Sequence, residues 1–471
     1  MWSTLPLWLL ASIAYLAMAP RVVNGDGLGY LKAALDGGLY PGHVAWVPVL
    51  SALAKLTGAT RPVELLWPAR VVCALSAATA AATLGAIARR RVAAAASAHA
   101  PPSTVALAAS LGLAASWGTL SAGSDVESYA PALAALTGAL WCAERQRAVG
   151  AGLMCALAAL LHIENLLFVP VAALLVEPRA RRLVLLAAAL PLAAVYGALL
   201  PGHGVGWLLG ASHGLHYPLR WTTPAVALYG ACKALVWSPY PYEASWPRVI
   251  GCFTVGAAAA AGLAACARRP LPRAATMAWV LPYALVGCAF YASDAERWTF
   301  LLPLAWLAAA ARPRGALAVA AAIVGANLLL WLPVARDDGP RRRAADALAH
   351  VAPGDLVIGP GHGWDEYIGF YEGTAVTAWP LVYWAGAVGA AALPSRLDAA
   401  VARARAGGHR VWLARLTGDD GDPMGWKELR LFGVTPANVR ALLPPGRAVP
   451  VGDGLERFDP WSSSTSSSPT R

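Results

Sequence analysis

Of 471 residues, 58% are hydrophobic and only 13% are charged, where soluble domains carry about 25% charged residues. With a mean hydropathy of +0.52, this excludes a soluble globule, a disordered chain and a collagen-like fibre. The net charge of +11, from 37 basic and 26 acidic residues, does not imply nucleic acid as a partner, because no basic stretch is interleaved with aromatic residues.

The first apolar run, Leu5 to Pro20, lacks a basic leading region and a clean small-residue cleavage site. It therefore reads as an uncleaved membrane helix rather than a signal peptide. A spanning helix needs about 20 apolar residues. Candidate runs fall at 4–20, 65–88, 103–121, 127–143, 148–162, 164–177, 183–200, 249–267, 275–292, 298–311 and 315–334. Several fall short of a full span, which implies short or tilted helices. The predicted fold is thus a polytopic α-helical membrane protein of about 11 transmembrane helices over residues 1–334.

Between these runs the arginines cluster: Arg89-Arg90-Arg91, Arg145 with Arg147, Arg179 with Arg181-Arg182, Arg268-Arg269 with Arg273, and Arg312 with Arg314. A cytoplasmic N-terminus puts all five clusters on the cytoplasmic side, as loops that resist translocation should be. The stretch 148–177 is split at His162-Ile163-Glu164-Asn165, since one continuous helix would bury Glu164 near mid-membrane. Two long segments then face the other side. In 21–64, the apolar spacing of Val44, Val47, Leu50, Leu53 and Leu56 suits an interfacial helix or a short membrane span. In 201–248, Trp207, Trp221, Trp237, Tyr240 and Trp246 suit the bilayer surface, and 225–237 reads as a surface or re-entrant helix.

After Pro333 charges become frequent and apolar runs shrink to strand length. Asp355–Gly359 and Arg410–Arg415 read as strands and Ser395–Ala406 as the helix between them. A small α/β domain over 335–460, extracytoplasmic by parity, is expected, followed by a disordered tail over 461–471. The seven cysteines form no CxxC pattern and read as small buried hydrophobes.

Chemistry is scarce enough to be located. Val23-Asn24-Gly25-Asp26-Gly27 follows the first helix, and a carboxylate just outside the membrane suits a general base, although a solvated loop or a helix cap uses the same residues. Asp125 and Glu127 stand on alternate residues of the next turn on that face, a pattern suited to a divalent cation or a sugar hydroxyl. Glu296 and Arg297 stand at a third such turn, where the guanidinium suits a phosphate. His203, His213 and His216 have no element to gather them, so a zinc site is not expected. Gly359-Pro360-Gly361-His362-Gly363 lacks the spacing of a dinucleotide fingerprint and reads as a loop.

These segments together resemble the GT-C superfamily of polytopic glycosyltransferases, especially its protein O-mannosyltransferase-like and aminoarabinose transferase-like members. The resemblance rests on Asp26 after helix one, Tyr40-Pro41-Gly42-His43 in place of a Pro-Pro element, and Trp67-Pro68-Ala69-Arg70-Val71 opening the second span. Trp117 ahead of Asp125-Val126-Glu127-Ser128-Tyr129, His162 through Pro170, and Glu296-Arg297-Trp298 through Pro303 complete it. It covers about residues 1–335. What the resemblance implies is a polyprenyl-phosphate sugar donor, a lipid, glycan or protein acceptor from the extracytoplasmic side, and inversion at the anomeric carbon. Asp26 would be the base, with Asp125 or Glu127 assisting. Arg297 would hold the leaving phosphate, and His43, Arg70 and Glu296 would contact substrate. Such an enzyme sits in a bacterial inner membrane. Two departures, Gly27-Leu28 after Asp26 and the broken Pro-Pro element, leave a catalytically inactive member as an alternative. A transporter or flippase of a lipid-linked precursor is another, but it predicts mid-membrane charges and inverted repeats that the sequence lacks.

Overall fold

The computed structural model describes residues 5–94, 101–210, 222–239, 244–388, 390–416, 425–426, 429–430, 433–452 and 454–460. The expected tail 461–471 and residues 213, 216, 221 and 240 of the second long segment lie outside them. The chain divides into two compact units, Met1–Asp337 and Asp338–Arg471.

The first unit is helical: α1 (Leu5–Ala17), α2 (Gly25–Asp36), α3 (Trp46–Thr57), α4 (Pro62–Ala94), α5 (Pro102–Ala115), α6 (Trp117–Ser124), α7 (Tyr129–Glu144), α8 (Ala148–Leu161), α9 (Val169–Leu175), α10 (Arg181–Gly210), α11 (Thr223–Leu235), α12 (Trp246–Cys266), α13 (Arg273–Tyr291), α14 (Glu296–Thr299), α15 (Leu302–Ala309) and α16 (Pro313–Ala335). Proline opens α4, α5 and α16, where its missing N–H costs nothing and its fixed φ favours the first turn. All eleven apolar runs of the sequence fall on helices. Among the described residues, however, only five helices are long and apolar enough to cross a membrane, or six if a bent pair counts as one. The difference has a physical cause. Apolar composition is shared by lipid-facing spans and by short helices packed inside the bundle, and several runs here are the second kind.

The bent pair is α5 and α6, which meet at 65°. Ser116 is extended at the break, its hydroxyl donating to the Gly112 carbonyl at 2.9 Å and accepting from Trp306 Nε1 at 2.9 Å. Asn327, 1% exposed on α16, donates to the Ala115 carbonyl at 2.8 Å and accepts from the Trp237 amide at 2.8 Å. Backbone groups freed by the break are therefore satisfied by side chains, as apolar surroundings require. The break turns α6 so that the chain emerges at Asp125. Tyr129 then opens α7 at the same end, while Glu144 at the far end of α7 pairs with Arg91 of α4. Arg89–Arg91, Arg145 and Arg147 thus stand at the end of these helices opposite Asp125.

The helix expected within 44–56 is α3. Of the solvated loop and the helix cap that the segment around Asp26 could form, the structure has the helix start. Asn24 caps α2, and the helix ends at Gly37, whose φ of 73° is the left-handed conformation glycine tolerates.

The second unit holds α17 (Gly339–Leu348), β1 (Leu356–Gly359), β2 (Thr377–Pro380), α18 (Leu381–Val388), α19 (Leu393–Ala406), β3 (Val411–Ala414), α20 (Pro436–Leu442), β4 (Gly446–Gly452) and β5 (Leu455–Pro460). The sheet runs β2-β1-β3-β5-β4, parallel over its first three strands and antiparallel over the last two. Both expected strands and the helix between them are present as β1, β3 and α19. β1 and β3 are buried along their whole length, and Leu397 and Val401 of α19 pack with Leu356, Ile358 and Leu413 in the core. After β1 the chain forms a short turn of 3-10 helix, Trp364–Tyr367.

Candidate active site

Asn24 is the hub of the acidic segments. Its side-chain oxygen accepts from the Gly27 amide at 2.5 Å, capping α2. Its own amide N–H donates to Asp125 Oδ2 at 2.9 Å, and its side-chain amide donates to Glu127 Oε1. One residue therefore fixes α2 against the turn between α6 and α7. Gly27 makes the approach feasible, since a Cβ there would stand 2.9 Å from the Val126 carbonyl. Asp26, in the first turn of α2, is exposed beside this junction.

The two carboxylates of the α6–α7 turn differ in what remains open to them. Asp125 accepts from Arg70 Nε at 3.2 Å and Nη2 at 3.0 Å, and both residues are under 5% exposed. Arg70 is turned inward to hold this turn. Glu127, 1% exposed, has one oxygen on Asn24, while Oε2 has no hydrogen-bond partner among the described residues. Asp26, Asp125 and Glu296 all act on Glu127 electrostatically, so the three acidic segments of the sequence meet in one place.

A polar chain runs behind Asp26. Tyr30, one helical turn along α2, hydrogen-bonds Ser128. Ser128 Oγ lies 3.0 Å from His43 Nδ1, which lies 3.2 Å from the Leu161 carbonyl. A carbonyl only accepts, so Nδ1 carries the proton and Nε2 offers a lone pair. Burial and the neighbouring His162 push the His43 imidazole down to about 3, so it is neutral. Tyr40 packs edge-on to Tyr30 at 5.1 Å, and burial with the Asp26 charge pushes its hydroxyl up to about 12.

On the other side stands Arg297, whose Nη1 donates to Glu164 and whose Nε lies 3.9 Å from Asp294. Its side chain keeps 24% exposure, while Nε is buried with no hydrogen-bond partner among the described residues. The Glu296 amide donates to Asp294 Oδ1 at 3.1 Å, and its carboxyl hydrogen-bonds Tyr129. Burial first, then the Asp294 and Asp26 carboxylates, hold the Glu296 carboxyl well above the ordinary carboxylate range.

Asp26, Asp125, Glu127, Glu296, Arg297, Arg70 and His43 are thus brought together, from segments far apart in sequence. Asn24, Ser128, His162 and Glu164 belong beside them and were not expected as site residues. For Glu164 a signal existed, since a lone carboxylate inside an apolar run needs a cation partner. Among the described residues no three His, Cys, Asp or Glu side chains are grouped to hold a metal ion, and Asp125 is already engaged by Arg70 and Asn24. The arrangement holds more carboxylates than guanidiniums, and each guanidinium is partly neutralised. Chemically it can accept a proton at the exposed Asp26, retain one at Glu296, and offer a few directed N–H donors.

No family model matches this chain, and no curated protein matches it. Among solved structures it is similar to the oligosaccharyltransferase of Archaeoglobus fulgidus, crystallised with a tethered acceptor peptide containing an NVT sequon. The TM-score is 0.48 at 12% identity, over 98% of this chain and 74% of that one.

Proposed function

We propose that this protein is a membrane glycosyltransferase that moves a sugar from a polyprenyl-phosphate donor to an extracytoplasmic acceptor with inversion. The observation that carries this reading is the meeting of Asp26, Glu127 and Glu296, from three separate segments, beside the partly exposed Arg297. In the proposed step, Asp26 takes the proton of an acceptor hydroxyl or amide. The freed lone pair attacks the anomeric carbon from the face opposite the phosphate, and the carbon–oxygen bond to the phosphate breaks with its electron pair. Arg297, and a Glu296 that keeps its proton, face the departing phosphate without adding negative charge there. Burial, with the Glu296, Asp26 and Asp125 carboxylates, holds the Glu127 carboxyl well above the ordinary carboxylate range, and its unengaged Oε2 hydrogen-bonds a sugar hydroxyl. Arg70 and Asp125 position the turn that carries Glu127, and His43 Nε2 accepts from a substrate hydroxyl. The position of Arg89–Arg91, Arg145 and Arg147 at the opposite end of the helices supports an extracytoplasmic site and a cytoplasmic N-terminus.

The test is transfer from a polyprenyl-phosphate sugar in proteoliposomes by wild type and Asp26→Asn. Loss of transfer by a factor of about 100 or more is expected for removal of a general base. Equal transfer by both proteins would eliminate the assignment.

A further inference from the structure

We infer that a crevice between α12 and α16 holds one acyl chain of an anionic glycerophospholipid, with the lipid phosphate on Arg248. The crevice has a volume of about 350 Å³ and is lined by apolar residues, among them Val236, Val255, Ala259, Val319, Ala322 and Ile323. Both helices are among those long and apolar enough to cross a membrane. Val255 lies ten residues into the 21 of α12 and is 43% exposed, so the crevice opens sideways at mid-membrane depth, where hydrocarbon is the surrounding solvent. An apolar cavity of this kind gives water nothing to bind, and a hydrocarbon chain fills it.

The upper end of the crevice supplies the headgroup contact. Val236 lines it, and the next residue, Trp237, carries the Arg248 guanidinium over its ring at 5.6 Å. Trp237 is held in place by its amide bond to Asn327 at 2.8 Å, four residues beyond Ile323 on α16. Arg248, Val255 and Ala259 are spaced i, i+7 and i+11 on α12, and so fall on one stripe. At 1.5 Å per residue, Arg248 stands about 10 Å above Val255, roughly the offset between a glycerol-level phosphate and the middle of its chain. Arg248 is exposed, has no carboxylate partner among the described residues, and is flanked by Trp246 at 64% and Ile250 at 58% exposure. A cation beside an exposed tryptophan at the end of a span is the chemistry of an anionic headgroup site. None of these residues belongs to the carboxylate site, so the inference does not depend on the proposed transfer reaction.

The test is retention of lipid by the full-length protein. It would be reconstituted in equimolar phosphatidylglycerol and phosphatidylcholine, re-extracted in detergent and weighed intact by native mass spectrometry. Wild type is expected to retain one phosphatidylglycerol in preference to phosphatidylcholine. Arg248→Glu should lose it by at least about fivefold, the worth of one cation at a lipid surface, and Arg248→Lys should keep most of it. Ala322→Phe should lose both lipids by filling the crevice. If that variant does not fold, the two Arg248 variants still decide the matter. Equal retention by wild type and Arg248→Glu, no retained lipid in wild type, or retention of an added polyprenyl phosphate instead would each overturn the inference.

Discussion

Arg70 and Asp125 form an ion pair of 3.0 Å at 3% and 6% side-chain exposure, and that pair anchors the turn from which Glu127 projects. A buried pair of this kind is costly to break on one side, because the remaining charge is stranded. Arg70→Met should therefore destabilise the protein by about 3–5 kcal/mol. The double variant Arg70→Met with Asp125→Leu should be less destabilised than either single change, since no charge is left buried. Thermal unfolding of the detergent-solubilised proteins measures all three. Additive losses would mean that the two residues do not act as a unit.

Gly27 makes a different demand. A methyl group there would meet Asn24 Oδ1 at 2.8 Å, the Val126 carbonyl at 2.9 Å and Val23 at 2.9 Å. Two of these are polar atoms held in place by the cap and by the α6–α7 turn. Gly27→Ala should therefore push α2 away from that turn, costing about 1–3 kcal/mol for overpacking, and displace Asp26. The expected kinetic signature is a fall in kcat larger than any change in donor KM, because the base moves while Arg297 stays. An unchanged kcat would show that the contact between α2 and Val126 does not set the position of Asp26.

Glu296 gives a pH dependence with a definite sign. Its carboxyl is held well above the ordinary carboxylate range by burial and by the Asp294 and Asp26 charges, so it keeps a proton where a free glutamate has lost one. As pH rises through its pKa, a negative charge appears beside Arg297, and an anionic donor should bind less well. Donor KM should therefore rise on the alkaline side in wild type. Glu296→Gln should abolish that rise. Asp294→Asn removes one of the carboxylates that raise Glu296, so the rise should begin at lower pH. Donor KM measured against pH for the three proteins checks this, and a rise that survives Glu296→Gln belongs to another group.

What the sequence made legible follows from which signals are local. The eleven apolar runs, α3, β1, β3 and α19 each announce themselves through composition and period within their own residues. The carboxylates of the site were legible for a related reason: charged residues are so few outside the arginine clusters that Asp26, Asp125, Glu127 and Glu296 stand out. Pairing was not legible. Arg70 carries no mark in the sequence that it will spend both hydrogen bonds on Asp125, 55 residues away, rather than on a substrate. Asn24 looks like an ordinary helix cap, and its second role as the donor to Asp125 and Glu127 exists only after α6 has been turned by the break at Ser116. The hairpin of β4 and β5 was missed because its strands are half exposed and carry Gly446, Pro450 and Gly452, residues that read as a loop.

The second unit has its own test in Asp355, which stands just before β1. Its Oδ1 accepts from the Arg410 amide at 2.8 Å, and its Oδ2 accepts from Trp412 Nε1 at 2.8 Å and from the Ala352 amide at 2.9 Å. A single carboxylate at 2% exposure therefore ties the entry to β1 to the start of β3, fixing the register in which Leu356 lies beside Val411. Hydrogen bonds to a charged acceptor contribute more than neutral ones, and when it goes the buried Trp412 indole and two part-buried backbone amides lose their acceptor. Asp355→Ala should cost this unit about 3 kcal/mol. Asp355→Asn should recover only part, because its amide turns an N–H toward a group that itself donates. Urea unfolding of the full-length variants, followed through tryptophan fluorescence, measures both. An Asp355→Asn variant as stable as wild type would mean that the carboxylate charge contributes nothing to the strand register.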